Sequence, residues 1–332
     1  MRAMVIDDFG GPEVFHPADV PVPEVGPGQV LIRVAASSVN PVDTKIRHGR
    51  LQAIAPPRPA ILHGDVAGTI AAVGEGVTDL REGDAVYACA GGVGRWQGAL
   101  AEYLLADAAL VARQPISLTP AEAAALPLVA ITAWEALIDK AGVQAGETVL
   151  VVGGTGGVGH VGLQLAKWRG ATVIASASSL EKAERALQLG ADAVADLRAE
   201  TIEAVVARHT GGSGFDLVFD TVGGAHLPDS FRATRLNGRL ATTAIRTTLD
   251  LAEVHARALS LHAVFMLIPL LHGIGMARHG AILRELATLV DEGRVRPLID
   301  EHRFGFSEVA EAHRFLENGQ AVGKVVLVND LV

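Results

Sequence analysis

The sequence predicts an α/β protein, a doubly wound parallel sheet joined to a smaller β-rich unit, and three observations predict it. A β-branched run, Thr148–Val152, is followed by Gly154, Gly156 and Gly159 and then by a helix-forming stretch at 160–169. From 148 to 242 short apolar runs alternate with amphipathic segments, as expected where helices cover both faces of a parallel sheet. Before Thr119 the pattern differs. Runs at 30–34, 69–73 and 85–88 are separated by turns such as Gly26-Pro27-Gly28 and Glu82-Gly83-Asp84, which reads as an all-β, barrel-like unit.

The elements follow in order. Thr119-Pro120-Ala121-Glu122 offers an N-cap, a proline at the first helical position and a first-turn carboxylate. A helix over 121–141 follows, interrupted near Pro127. After the strand Thr148–Val152 and the helix at 160–169 come a strand at 172–175, a helix at 180–189 and a short strand at 193–194. A helix at 201–209, a strand at 217–220, a helix at 227–234 and a strand at 239–242 complete the alternation. A further amphipathic helix at 281–292 ends at Gly293. The stretch 293–332 turns β-like again, with strands at 298–299 and Lys324–Val328 flanking a helix at 307–317. The expected division is one domain of 1–122 plus 293–332 and a second of 123–292.

Composition narrows the function class. The 332 residues suffice for two domains, and 49% hydrophobic content supports a large core. Lys and Arg total 28 against 37 Asp and Glu, a formal charge of −9. Without a basic cluster, a nucleic-acid partner is not expected. The single cysteine, Cys89, cannot form an internal disulfide and fits a reducing compartment. No apolar signal region opens the chain, and the longest apolar stretch, 261–271, holds His262 and Pro269 and is too short to span a bilayer. A cytoplasmic protein with no membrane partner is expected.

Gly154, Gly156 and Gly159 have G-x-G-x-x-G spacing in the required strand, turn, helix order. Such a turn lets backbone approach a pyrophosphate at a helix N-terminus, where free N–H groups and the dipole favour negative charge. Gly154, Thr155, Gly156, Gly157, Val158 and Gly159 are therefore read as a dinucleotide cradle. In NAD-specific folds an Asp or Glu ends the second strand and holds the ribose 2′-OH. Here that position falls at Ala177, within Ser176-Ala177-Ser178-Ser179. A 2′-phosphate meets no carboxylate there. Ser178 and Ser179 can donate hydrogen bonds, and Lys182 follows one helical turn later, although it could instead pair with Glu181 or Glu184. No arginine stands in this stretch. NADPH is expected over NADH.

The ordered set Ser38-Val39-Asn40-Pro41-Val42-Asp43, Gly64-Asp65-Val66-Ala67-Gly68, Val73-Gly74 and Glu82-Gly83-Asp84 continues through Glu122-Ala123-Ala124-Ala125-Leu126-Pro127 and Thr132-Ala133-Trp134. It ends with the glycine motif, Leu189-Gly190-Ala191-Asp192 and Gly323-Lys324. The chain resembles the medium-chain dehydrogenase/reductase superfamily along essentially its whole length, and within it the zinc-independent quinone oxidoreductase branch. The resemblance implies a GroES-like β-barrel domain, a Rossmann domain inserted after it and an active site in the cleft between them. It implies that Lys182 meets the 2′-phosphate, that Thr221 lies near the nicotinamide ribose, and that Thr243 and Ala244 line the nicotinamide pocket. Ordinary strand-end packing is the other reading of those last three. Lys324 is counted with the cofactor-binding residues.

Zinc enzymes of this superfamily carry a cysteine where Asn40 stands, a His-Glu pair where Gly64-Asp65 stands, and four cysteines around 85–100, where this chain has Cys89. No zinc or other metal is expected. Without a metal, the acceptor must take hydride readily, which suits quinones and α,β-unsaturated carbonyls. A hydroquinone anion takes its proton from water. The candidate catalytic residues are Asn40, as a hydrogen-bond donor to acceptor or nicotinamide, and Lys45, a cationic donor where the family often has a tyrosine. Asp43 reads equally as a buried structural carboxylate. The glycine-rich loop 91–98 is either a lid or a loop whose Trp96 packs on the barrel. The expected activity is NADPH-dependent quinone reduction. The alternatives are reduction of an enone or enoyl-thioester double bond, and NADPH binding without turnover. A homodimer is expected, with 260–267 as the contact strand or else as a buried core strand.

Overall fold

Short β-branched runs broken by Gly and Pro build the first part of the chain, and longer alternating segments build the middle. The computed structural model describes residues 1–331. The chain begins β1 (Arg2–Val5), β2 (His16–Asp19), β3 (Gln29–Ser38), α1 (Pro41–Arg47), β4 (Asp65–Val73), β5 (Ala85–Cys89), β6 (Tyr103–Asp107), β7 (Ala112–Arg113) and α2 (Pro120–Ala124). It continues α3 (Pro127–Trp134), β8 (Thr148–Val152), α4 (Gly157–Trp168), β9 (Thr172–Ser176), α5 (Leu180–Gln188), β10 (Ala193–Ala195) and α6 (Ile202–Thr210). Then come β11 (Phe215–Asp220), α7 (Leu227–Ala233), β12 (Thr234–Thr242), α8 (Ala252–Ala256) and β13 (Ser260–Ala263). The chain closes with α9 (Ile268–His272), α10 (Met276–Asp291), β14 (Ile299–Gly305), α11 (Val309–Glu317) and β15 (Lys324–Val328).

Two compact units result. The second comprises Val129–Met266 with Arg294–Arg296. Its six strands, all parallel, lie in the order β10-β9-β8-β11-β12-β13. From β8 the chain winds outward through β9 and β10, then returns to β11 on the other side. The reversal between β8 and β11 opens the crevice at which doubly wound sheets bind ligands. Val149, Leu150 and Val151 of β8 are fully buried, and Leu150 packs in one core with Ile174, Phe215, Val218, Phe231 and Leu240. Each such side chain contributes about 1.5–3 kcal/mol by leaving water.

The first unit comprises Met1–Leu128, Leu267–Gly293 and the chain from Pro297. Its seven-stranded sheet runs β14-β15-β3-β4-β5-β7, with β6 also on β3. The strand β15 pairs antiparallel with β3, near the chain's beginning. The stretch 123–292 expected as the second domain is divided: 123–128 and Leu267–Gly293 pack with the first unit, and Arg294–Arg296 with the second. Ile282, Leu283 and Leu286 of α10 are fully buried, Tyr87 donates its hydroxyl to the Leu283 carbonyl at 2.6 Å, and a Cβ on Gly280 would lie 2.2 Å from the Ala109 carbonyl oxygen. An amphipathic helix goes where its apolar face is covered, whatever its place between strands.

Helix α1 lies in a stretch with no periodic apolar signal. Pro41 starts it, and the Asp43 carboxylate at its third position accepts from the Asn40 N–H at 2.7 Å, which caps the end from inside. Helix α4 begins at Gly157, three residues earlier than the apolar pattern suggests. No helix among the described residues is long and apolar enough to cross a membrane.

Candidate functional site

The C-terminal edge of the parallel sheet carries the sequence-predicted cradle. After β8, Gly153 turns the chain at φ +80°, a conformation that favours glycine, and α4 starts with Gly156 as its N-cap. A Cβ at Gly159 would lie 2.0 Å from the Gly153 carbonyl oxygen, and one at Gly154 would lie 2.7 Å from Ala175 Cβ. Strand and helix backbones therefore touch, and side chains are excluded. Helix α4 has no side-chain cap, so the N–H groups of its first turn find no acceptor within the helix. That is the donor set a pyrophosphate needs, and the cradle fits a dinucleotide.

The neighbouring strand ends hold this loop in place. Ser176, the last residue of β9, accepts the Gly153 N–H on Oγ at 2.8 Å and the Gly154 N–H on its carbonyl at 3.1 Å. Sequence reading assigned Ser176 no role, since only strand adjacency brings it to the glycines. At the end of β11, Thr221 donates its hydroxyl to the Val152 carbonyl at 2.7 Å. Beyond β12, the Thr243 N–H donates to the Asp220 carbonyl at 3.3 Å and the Ala244 N–H to Thr242 Oγ1 at 3.2 Å. Thr221, Thr243 and Ala244 are half-buried beside the cradle.

The turn after β9 holds the residues read as a 2′-phosphate site. The Ala177 N–H donates to the Ala195 carbonyl at 3.0 Å. Ser179 caps α5, its hydroxyl accepting the Lys182 N–H at 3.2 Å. Among the described residues Lys182 forms no ion pair, with Glu181, Glu184 or any other acid. No arginine stands within this turn, but one reaches it from another loop. Arg198, arriving from the loop after β10, donates Nη2 to the Ser178 carbonyl at 2.9 Å.

Asn40, Lys45 and Lys324 belong to the first unit. Lys45 is exposed on α1, whereas Asn40 and Lys324 are buried, at 0% and 3% exposure. Asn40 donates Nδ2–H to Asp65 Oδ2 at 2.7 Å and accepts from Lys324 Nζ on Oδ1. Lys324 Nζ also reaches the Val39 carbonyl at 3.1 Å and Asp65 Oδ2 at 3.4 Å. Asp65 further accepts from Ser38 Oγ at 2.7 Å and from the Leu128 N–H at 2.8 Å. All three Lys324 protons are thus engaged within the unit. Burial lowers the Lys324 pKa, opposed by Asp65 and Asp43. Burial also raises Asp43 to about 7 and pushes the Cys89 thiol well up. Burial, reinforced by Lys324, holds His63 down at about 3. His63 Nδ1 lies 3.3 Å from Ser37 Oγ, whose own hydrogen goes to the Asp65 carbonyl, and His63 Nε2 lies 2.9 Å from His313 Nε2.

No group of three or more His, Cys, Asp or Glu among the described residues is arranged to hold a metal ion. A dication beside Asp65 would also face the Lys324 ammonium. The loop 91–98 is pinned: Trp96 is 7% exposed, and a Cβ at Gly91 or Gly98 would press within 2.2 Å of the Gln97 carbonyl or 2.0 Å of the Leu62 carbonyl. The Gln97 side chain accepts the Ile61 N–H at 2.8 Å and donates to the Pro57 carbonyl at 2.9 Å. Of its two expected roles, the packed loop describes it.

Family comparisons agree with both units. The model of the alcohol dehydrogenase GroES-like domain matches residues 26–116, and that of the zinc-binding dehydrogenases matches 189–327. The chain is 35% identical, over 98% of its length, to an NADPH-dependent alkenal/one oxidoreductase of Arabidopsis thaliana chloroplasts, covering 79% of that protein. It is 32% identical to human quinone oxidoreductase over 99% of its own length and 98% of the relative's. An alcohol dehydrogenase superfamily protein from Novosphingobium aromaticivorans has the same fold, with a TM-score of 0.94, 40% identity and 99% of each chain covered. A glycine cradle at the switch point of a parallel sheet, a GroES-like domain and these full-length likenesses establish that the chain belongs to the medium-chain dehydrogenase/reductase superfamily and is an oxidoreductase of the medium-chain reductase type.

Proposed function

We propose that this protein uses NADPH to reduce a conjugated carbonyl, a quinone first of all, without zinc. The end of β9 carries the cofactor assignment. Ala177 stands where an acid would bind a ribose 2′-OH, and Ser178, Ser179 and the unpaired Lys182 follow. When bound, the nicotinamide supplies the hydride; the chain's residues bind and orient. The first-turn amides of α4 take the pyrophosphate, while Thr221, Thr243 and Ala244 flank the nicotinamide and its ribose. Asn40, fixed by Lys324 and Asp65, keeps one Nδ2–H for an acceptor oxygen. Lys45 supplies an exposed positive charge.

Quinone is favoured because Asn40, Asp43 and Lys324 are buried and already bonded. A hydroquinone anion needs no proton donor beyond water, whereas an enolate carbon needs a placed acid. The second reading, reduction of an enone or enoyl-thioester, is supported by the printed activity of the Arabidopsis relative. Loss of nicotinamide absorbance should be followed with benzoquinone, phenanthrenequinone, cyclohexenone and crotonyl-CoA, each with NADPH and NADH, with and without a chelator. Chelator-resistant turnover of quinones with preference for NADPH is expected. Turnover of only the enone or thioester would replace the quinone assignment, and tight NADPH binding with no turnover would favour a non-catalytic binder.

The assembly reading is a homodimer. β13 is an edge strand, bonded to β12 on one side, and an antiparallel partner β13 would cover the other; gel filtration at several concentrations tests it. A buried Cys89 as sole cysteine suits the reducing cytoplasm.

A further inference from the structure

We propose that Arg198 is a cofactor-specificity residue, a second cation that grips the adenosine 2′-phosphate together with Lys182. The proposal rests on the NADPH assignment above and extends it to a residue on a different strand. β10 runs parallel to β9 with Ala195 opposite Ser176, and the Ala177 N–H donates to the Ala195 carbonyl at 3.0 Å. The two strands therefore end side by side. The turn Asp196-Leu197-Arg198 falls against the turn Ala177-Ser178-Ser179. Asp196 Oδ1 accepts the Arg198 N–H at 3.0 Å, which folds the chain back at this point. Arg198 Nη2 then anchors on the Ser178 carbonyl at 2.9 Å.

That anchor uses one of five guanidinium N–H groups and leaves the fork available for an anion. Five arginines of this unit, Arg208, Arg232, Arg235, Arg239 and Arg257, each hold a carboxylate. Arg198 holds none among the described residues, and the acid two positions on, Glu200, is bound to Arg208. An exposed guanidinium fixed to the backbone of the 2′-phosphate turn is preorganised, so less side-chain freedom is lost when a phosphate arrives. A bidentate pair with phosphate oxygens is the strongest contact such a group makes.

The test is calorimetric titration of the full chain with NADPH, NADH and adenosine 2′,5′-bisphosphate, for wild type, Arg198→Met, Arg198→Lys and Lys182→Met. Arg198→Met should weaken NADPH and the bisphosphate by about 10–100-fold, the usual worth of a charged hydrogen bond, and leave NADH within about twofold. Arg198→Lys, which keeps the charge and loses the fork, should recover part of the loss. A wild type that prefers NADPH, with an Arg198→Met variant of unchanged preference, would overturn the role of Arg198 and leave the NADPH assignment standing. Equal wild-type affinity for NADH and NADPH would remove that assignment and Arg198 with it. Parallel loss of both cofactors in Arg198→Met would make the residue a support for the turn and equally overturn the proposal.

Discussion

At the end of β8 the chain keeps side chains out, and around Asp65 it packs them in. The glycine turn leaves backbone N–H groups without acceptors and has no room for a Cβ at Gly159. In the first unit, Asn40, Asp65 and Lys324 are at most 3% exposed and satisfy one another. Both regions carry motifs of the same family, but at the glycine turn the donors left over are backbone amides, whereas around Asp65 the side chains bond one another and leave a single Asn40 Nδ2–H over.

The largest expected effect tests the closed region. Lys324→Met leaves the Asp65 carboxylate buried without its cation, which should cost about 3–5 kcal/mol in urea unfolding. Adding Asp65→Asn should recover part of that loss, since the pair is coupled. A Lys324→Met protein as stable as wild type would mean the cluster is not structural. For the open region, Gly159→Ala should cost about 1–3 kcal/mol by overpacking and abolish dinucleotide binding. Gly156→Ala is the control, because its Cβ would stand 3.3 Å from the Gly153 carbonyl oxygen at an exposed position. Melting curves should rank the two far apart; equal losses of stability would contradict the tight packing at Gly159.

Acidification should separate the regions again. His63 is ordinarily protonated below about 6.5 but stays neutral in the fold down to about 3. His313 is likewise held well below its ordinary value, by burial and then by His63, Arg47 and His48. The unfolded chain thus binds protons that the folded chain refuses, and stability falls as pH drops from about 6.5 towards 3. Asp43 has the opposite sign. Raised from 3.8 to about 7, it stabilises most below 3.8, and that contribution is lost as pH rises to 7. Two histidines outweigh one aspartate, so net destabilisation in acid is expected, and His63→Gln with His313→Gln should flatten melting temperature against pH across this window. The smallest effect is in the cradle: Ser176→Ala removes the acceptor of the Gly153 N–H and should cost about 1 kcal/mol, read by denaturant midpoint.

Much of this molecule is legible in its residues because the signals are local. Glycine spacing after a β-branched run, the missing acid at Ala177 and the alternation of strand and helix each depend on a few neighbouring positions, as does the capped helix start at Thr119. The sheet order then followed the rules of parallel winding. Other features depend on chain segments meeting across long separations, for which no local pattern exists. Lys324 reaches Asn40 across 284 positions, α10 leaves its neighbours in sequence to cover the first unit, and Arg198 meets Ser178 because β10 pairs with β9. By itself the sequence determined the fold class, the family and the glycine turn after β8, since backbone conformation and apolar periodicity are written residue by residue. Which polar groups are used up and which remain free was decided by the tertiary structure, because hydrogen bonds between distant segments exist only once burial has brought those segments together.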